Sequence, residues 1–300
     1  MSAAMDSQQN CVRPSTSEAP APVTRRQLLN GAICGSAALA TGGALAYKFR
    51  ASIDSIRATL SGRAASTGFA GAETPAEPTF KQLAERAFHD EARRVYEEHR
   101  RQTVESVAAL KRKYEQPVFG RMRVWDLIEK LGQCVDVTDY SLCGASQWLH
   151  VCQALAAMEQ HGVTDPDLFL IALIHDLGKV FLLAGEVPEN VCCTSGRLGE
   201  GPPGMGLDQV VYQFGHGELI YSRVKDLVPE HVAWTVRYHN IDLNDAEPFM
   251  NDRDREYAGK YLDVFRTFDR NFKSIHWIPQ IAVSKYRDMV QHYFPKPILF

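Results

Sequence analysis

Leu168-Phe169-Leu170-Ile171-Ala172-Leu173-Ile174-His175-Asp176-Leu177-Gly178-Lys179 is the stretch whose reading decides the fold. Seven apolar residues in a row follow Pro166, with Asp165 or Thr164 ahead as a cap. That order opens a helix, since proline suits the first helical position and a short polar side chain satisfies free N–H groups. The pattern predicts one helix over Asp165–Leu183. The run ends on an adjacent imidazole and carboxylate, which are costly to desolvate unless something pairs with them. A metal ion is the usual partner. Gly178 costs about 1 kcal/mol against alanine inside a helix, which points to something passing close to the backbone there.

The flanking chain also reads as helical. Phe80–Tyr114 is charged with sparse apolar residues and predicts one or two surface helices, with Val104, Val107, Ala108 and Leu110 as a narrow apolar face. Trp125, Ile128 and Leu131 form the inner side of a further amphipathic stretch, and Gly144–Gln160 predicts another helix. Gly185–Gly206, with six glycines and three prolines, is a loop. Asp208–Val224, Glu230–Asn240 and Arg253–Lys273 are expected helices. The last of these has Tyr261, Leu262, Val264, Phe265 and Phe268 facing inward. Pro279 is expected to open a closing helix that runs to about Tyr293. No strand pattern or internal repeat is evident. The fold class is all-α, a single domain over residues 80–300.

Three hundred residues at 45% apolar content can bury one large core, and a net charge of −3 gives no reason to expect nucleic acid as a partner. Seven cysteines without regular spacing do not form a disulfide framework, and Cys192-Cys193 reads as a reduced, half-buried turn. Residues 1–79 differ in kind. A Ser/Ala/Pro/Gln-rich start predicts disorder. Arg25-Arg26 then precedes an apolar segment over 28–47, and Ala64–Glu77 is a flexible linker. The paired arginines suit an export signal, and the apolar segment is alternatively a weak membrane anchor or an organellar presequence.

Six side chains in apolar contexts stand out as candidate metal ligands: His150, His175, Asp176, His216, His239 and Asp269. The remaining six of the ten histidines lie in polar or terminal settings. Four imidazoles and two carboxylates exceed the needs of a mononuclear site. They suit two ions sharing a bridging carboxylate, for which Asp176 is the natural choice. Counting then places His150, His175 and Asp269 on one ion and His216 and His239 on the other. A set without thiolates favours iron, manganese or zinc.

The order His…His-Asp…His…Asp resembles the helical HD-domain superfamily. Its surroundings narrow the likeness. His175-Asp176-Leu177-Gly178-Lys179-Val180, Gly215-His216, Arg237-Tyr238-His239 and Phe268-Asp269 with Lys273 look like the myo-inositol oxygenase family. So do Gln102-Thr103-Val104, Val135-Asp136-Val137-Thr138-Asp139 and the ending Tyr293-Phe294-Pro295 through Phe300. The resemblance implies an HD-domain-like helical bundle holding two iron ions as a mixed-valent Fe(II)/Fe(III) pair. The implied reaction is dioxygen-dependent ring cleavage of myo-inositol to D-glucuronate. It implies Lys179 as a catalytic residue and Asp136 and Lys273 as substrate contacts. Its partners would be a small polyol and dioxygen, acting on a cytoplasmic monomer.

The sequence also departs from the family pattern. A substrate-binding Gly-Asp falls near Cys193-Thr194, so Thr194 stands where a carboxylate is expected. Asn240 replaces a serine after the histidine ligand, and a lid arginine has no equivalent near Phe88-His89-Asp90. Losing a buried hydrogen-bond acceptor costs about 1–3 kcal/mol, enough to alter substrate preference. The alternatives are therefore an oxygenase of the same kind acting on another cyclitol or a hydroxyalkyl phosphonate, an HD-type phosphohydrolase, or a non-catalytic binding protein that keeps its metals for folding.

Overall fold

A computed structural model of the chain describes residues 80–300, with side chains from residue 85 onward. The export, anchor, presequence and linker readings of residues 1–79 lie outside the described residues. Among those described, no helix is long and apolar enough to cross a membrane.

The helices are α1 (Phe80–His99), α2 (Val104–Lys113), α3 (Val124–Lys130), α4 (Gln147–Gln160), α5 (Pro166–Ile174), α6 (His216–Val224), α7 (Glu230–Tyr238), α8 (Leu243–Ala246), α9 (Asp252–Tyr257), α10 (Asp263–Asn271) and α11 (Arg287–Tyr293). At the centre lies α5. Asp165 caps it by accepting from the Asp167 N–H at 2.9 Å, and Pro166 occupies its first turn. Every residue from Leu168 to Ile174 is buried, as expected of a helix that is apolar on all sides. Each such side chain contributes about 1.5–3 kcal/mol on burial. Around it pack α4, α7, α10 and α11. The expected all-helical class holds.

Several boundaries differ from the sequence reading. The α-helix stops at Ile174, and the chain tightens into a 3₁₀ stretch over Leu177–Ala184. His175 Nδ1 bonds back to the Ala172 carbonyl at 3.0 Å, and Asp176 leaves helical geometry at φ −95°, ψ 2°. The His-Asp pair therefore sits on the break. Asp208–Gly215 is not part of α6. A short 3₁₀ turn and an extended segment fill it, because Arg197 pairs there with Tyr212 and the Leu198 N–H donates to Val211. Gly144–Ser146 likewise precedes α4, with Val135 bridged to Ser146.

The predicted Arg253–Lys273 helix begins at Asp252 behind an Asn251–Asp254 capping box, passes through a π turn over Ala258–Leu262, and ends at Asn271. Pro279 lies in irregular chain. The closing helix starts only with a 3₁₀ turn at Val283. Val104 and Val264 face solvent, with exposures of 43% and 36%, and not the core.

Two short strands, β1 (Arg121–Met122) and β2 (Ile298–Leu299), form an antiparallel pair absent from the sequence reading. The Phe300 N–H donates to Gly120 at 2.9 Å, the Phe119 N–H donates to Phe300 at 2.7 Å, and the Phe300 ring packs on Phe181. Cys192 and Cys193 are both buried and unbridged, not half-buried.

Gly178 has its reason in this packing. A Cβ there would fall 2.6 Å from the Cα of His216, so the 3₁₀ stretch and the start of α6 meet backbone to backbone. We expect Gly178→Ala to cost about 3 kcal/mol, at the upper end of overpacking. Gly259→Ala, at a position with nothing within 4 Å, should stay within about 1 kcal/mol of the parent. Denaturant midpoints of both variants test this, and equal midpoints would refute the close approach.

Candidate metal centre

Five chain segments bring the six candidate ligands together. His150 lies on α4, His175 and Asp176 on the break after α5, His216 at the first turn of α6, His239 at the C-terminal end of α7, and Asp269 on α10. All six are buried, the most exposed being Asp269 at 6%.

Asp176 divides them. Its Oδ2 lies 3.3 Å from His175 Nε2 and 3.8 Å from His150 Nε2, while Oδ1 lies 3.3 Å from His216 Nε2 and 3.8 Å from His239 Nε2. Asp269 Oδ1 closes the first group, 2.9 Å from His150 Nε2 and 3.5 Å from His175 Nε2. The ligand atoms of His150, His175 and Asp269 all lie within 4.8 Å of one another. So do those of His175, Asp176 and His239, so His175 stands between the two halves. It groups with the Asp269 side, because the nitrogen that meets Asp269 Oδ1 at 3.5 Å also meets His150 Nε2 at 3.1 Å.

The ring orientations carry chemical information. Nδ1 of His175, His216 and His239 meets the carbonyls of Ala172, Val191 and Val236 at 3.0, 2.6 and 2.7 Å. A carbonyl only accepts, so each ring donates through Nδ1 and turns Nε2 inward. Metal-binding histidines are commonly fixed in this way. His216 Nε2 and His239 Nε2 then face each other at 3.0 Å. Burial lowers the pKa of both, and Lys179 lowers that of His216 further. Two neutral imidazoles thus oppose lone pairs beside a carboxylate oxygen, with no hydrogen between them. Such an arrangement repels itself unless a cation lies among the donors, and the donor set fits a metal ion.

The charge balance agrees. With His175 neutral, as a metal ligand must be, four carboxylates (Asp136, Asp139, Asp176, Asp269) face two ammonium groups (Lys179, Lys273), an excess of two negative charges that the His175 proton halves in the metal-free protein. Burial opposes the charge on Asp176, but His175 and Lys179 outweigh it and hold the carboxyl well below its usual range. Burial is likewise overcome at Asp269 by Lys273 and His150. His150 is pushed down to about 4, by burial first and then by Lys273. At His175 burial disfavours the proton, yet Asp176 and Asp269 raise the pKa to about 9.

The other sequence-predicted residues are placed unevenly. Lys179 Nζ lies 2.8 Å from Asp136 Oδ2, 3.1 Å from Asp176 Oδ2 and 2.9 Å from Gln147 Oε1. Burial opposes its charge, but Asp136 and Asp176 raise its pKa well above the ordinary lysine value. Asp136 Oδ1 accepts from the Thr138 N–H and hydroxyl at 2.8 and 2.7 Å, so both its oxygens have partners within the chain. Lys273 Nζ lies 3.1 Å from Asp139 and 3.7 Å from Asp269, with its side chain largely covered. Thr194 is exposed and bonds the Tyr96 phenol of α1. Asn240 donates to the Cys193 carbonyl at 3.2 Å. Neither side chain hydrogen-bonds to any of the six candidate ligands.

Sequence reasoning missed two supporting residues. Arg266, buried on α10, donates to the His239 carbonyl at 2.8 Å and to those of Tyr238 and Ile241, closing the C-terminal end of α7. Gln147 carries the third partner of Lys179. A charged residue inside the apolar stripe of α10 was the available signal for the first. Helical spacing of three before His150 was the signal for the second.

This chain is similar to known proteins. A family model described as "Myo-inositol oxygenase" matches residues 89–194. That segment contains Asp136, His150, His175, Asp176 and Lys179 and ends before His216, His239 and Asp269. Inositol oxygenase 1 of Arabidopsis thaliana is 29% identical over 279 residues, spanning 76% of this chain and 88% of that protein. A probable inositol oxygenase of Oryza sativa subsp. japonica is 28% identical, spanning 66% and 76%. Inositol oxygenase of Bos taurus is 26% identical, spanning 66% and 82%.

Metal loading must displace the His175 proton. The group is charged below about 9 in the metal-free protein, so loading at pH 7.5 should release about one proton, and affinity should fall roughly tenfold per pH unit as pH drops. Calorimetry in buffers of different ionisation enthalpy measures this. Zero protons released would contradict the assigned role of His175.

Proposed function

We propose that this chain is a member of the myo-inositol oxygenase family and that it oxidatively cleaves the ring of myo-inositol with dioxygen, giving D-glucuronate. The observation that carries the proposal is the division of four imidazoles and Asp269 around the two oxygens of Asp176. His150, His175, Asp176 and Asp269 would hold one iron ion, and Asp176, His216 and His239 the other, as a mixed-valent pair. Bound iron would supply Lewis acidity toward the polyol oxygens and the electrons for activating dioxygen.

The chain's own residues do the rest. Burial of the six ligands and Lys179, with Lys273 half-buried beside them, keeps bulk water away, so each charge acts through a low dielectric. Lys179 is held as a fixed cation on the Oδ2 side of Asp176. From there it stabilises negative charge that develops on a substrate oxygen. Lys273 adds a second positive charge beside Asp269. Asp136 orients Lys179 and borders the space where a polyol hydroxyl would lie. The segment Cys192–Thr194, held by Thr138 at the Cys192 carbonyl (3.2 Å) and by Asn240 at that of Cys193, would form one wall of that space. Thr194 and Asn240 would then act on substrate preference through this wall. The second site, with fewer protein ligands, leaves positions open for substrate oxygens.

The reading is tested by oxygen uptake of iron-loaded protein with myo-inositol, scored as glucuronate. Lys179→Ala should keep its iron and lose about a hundredfold or more in turnover. Iron-loaded protein that consumes no oxygen with any polyol, yet hydrolyses phosphate esters with manganese or magnesium, would replace the proposal with a phosphohydrolase.

A further inference from the structure

Gln147 is fully buried on α4, one turn before His150. Its backbone N–H donates to the Cys134 carbonyl at 2.9 Å, which fixes where the helix begins. The side-chain orientation is set by Lys179. An ammonium group only donates, so the amide must present Oε1 to it. Nε2 is left buried without a partner, two hydrogen bonds away from the Asp176 carboxylate.

Lys179, meanwhile, has nothing spare. Its three N–H bonds match three acceptors: Asp136, Asp176 and Gln147. A substrate oxygen arriving beside it meets a positive charge but no free hydrogen. The candidate ligand histidines turn their Nε2 lone pairs inward and offer none either. Residues other than glutamine could serve Lys179 as well. A glutamate would bind the ammonium more strongly and leave no orphaned donor. Glutamine alone among side chains of this shape supplies the acceptor and keeps two N–H bonds unspent. An unpaired buried donor costs about 1–3 kcal/mol, a cost that a ligand can remove.

We infer that Gln147 is a specificity-determining residue that donates its Nε2 hydrogens to an oxygen of the bound polyol while its Oε1 holds Lys179 in place. The inference rests on the polyol oxygenase reading above. It adds a donor to a pocket whose acceptor at the Cys193-Thr194 position is absent, and so favours substrates that place an oxygen lone pair beside Lys179.

Equilibrium binding of myo-inositol to anaerobic, iron-loaded protein tests the idea, with Gln147→Glu and Gln147→Met beside the parent. Iron content and thermal melts accompany each titration. Gln147→Glu preserves the acceptor for Lys179 and removes the donor, so binding should weaken about tenfold or more with iron content unchanged. Gln147→Met removes both groups and should weaken binding at least as much. If the parent binds and Gln147→Glu binds within about threefold of it, the inference is wrong and the oxygenase reading stands. If the parent itself binds no myo-inositol, the oxygenase reading falls and takes the inference with it. Where one variant fails to retain iron, the other decides. Loss of iron from both would assign Gln147 to holding Lys179 alone and overturn the inference.

Discussion

Asp176 carries its negative charge where solvent cannot reach it, and the surrounding architecture is arranged around that fact. One oxygen faces Lys179 and the His150–His175 pair, the other the His216–His239 pair. An isolated carboxylate at such depth would take up a proton. Here a lysine and four imidazoles converge on it from separate segments. The core therefore has to bring α4, the end of α5, α6 and α7 to within a few ångströms of one point. The requirement explains the uninterrupted apolar surface of α5, which packs on its neighbours from all sides. It explains the glycine at 178, where two backbones touch, and Arg266, which binds the carbonyls at the end of α7 and fixes the backbone of His239.

Much of this was legible in the residues themselves. An apolar run ending in His175-Asp176 marks a buried polar pair, and few side chains elsewhere share that context, so the convergence of six could be anticipated from counting. The cost of Gly178 similarly pointed to a close backbone contact, which proved to be with His216. Convergence is a property of the whole fold, however. No local pattern states which oxygen of Asp176 faces which ring.

Other features left little trace. Apolar spacing continues through Leu177, Val180 and Phe181, so periodicity alone runs α5 past Ile174. The bond from His175 Nδ1 to Ala172, which marks the break, is a side-chain bond within one turn that apolar spacing does not reveal. The β1–β2 pair involves two residues on each side, too few for an alternating pattern to show. Val104 and Val264 look inward by composition, yet α2 and α10 turn other faces to the core. After its 3₁₀ turn the Asp208–Gly215 segment is extended because it pairs back with Arg197 and Leu198 in the preceding loop, a pairing that no helical or alternating pattern announces. Polar residues on buried faces are the hardest to read. Gln147 and Arg266 resemble surface residues until their partners are known.

The corner between α1 and α2 has a mechanical meaning. Gln102 donates to the carbonyls of Glu189 and Phe214 and to Asn190 Oδ1, and accepts from the Phe214 N–H. His99 bonds Glu189 through its ring and receives Gln213 on its carbonyl. This rivets the corner to the chain that leads into α6, so the two travel as one body. The rest of α1 rests on the centre through a small separate cluster of Phe88, Val95, Val137 and Cys193. Displacing this corner would accordingly pull on Phe214 and on the short chain that leads into His216.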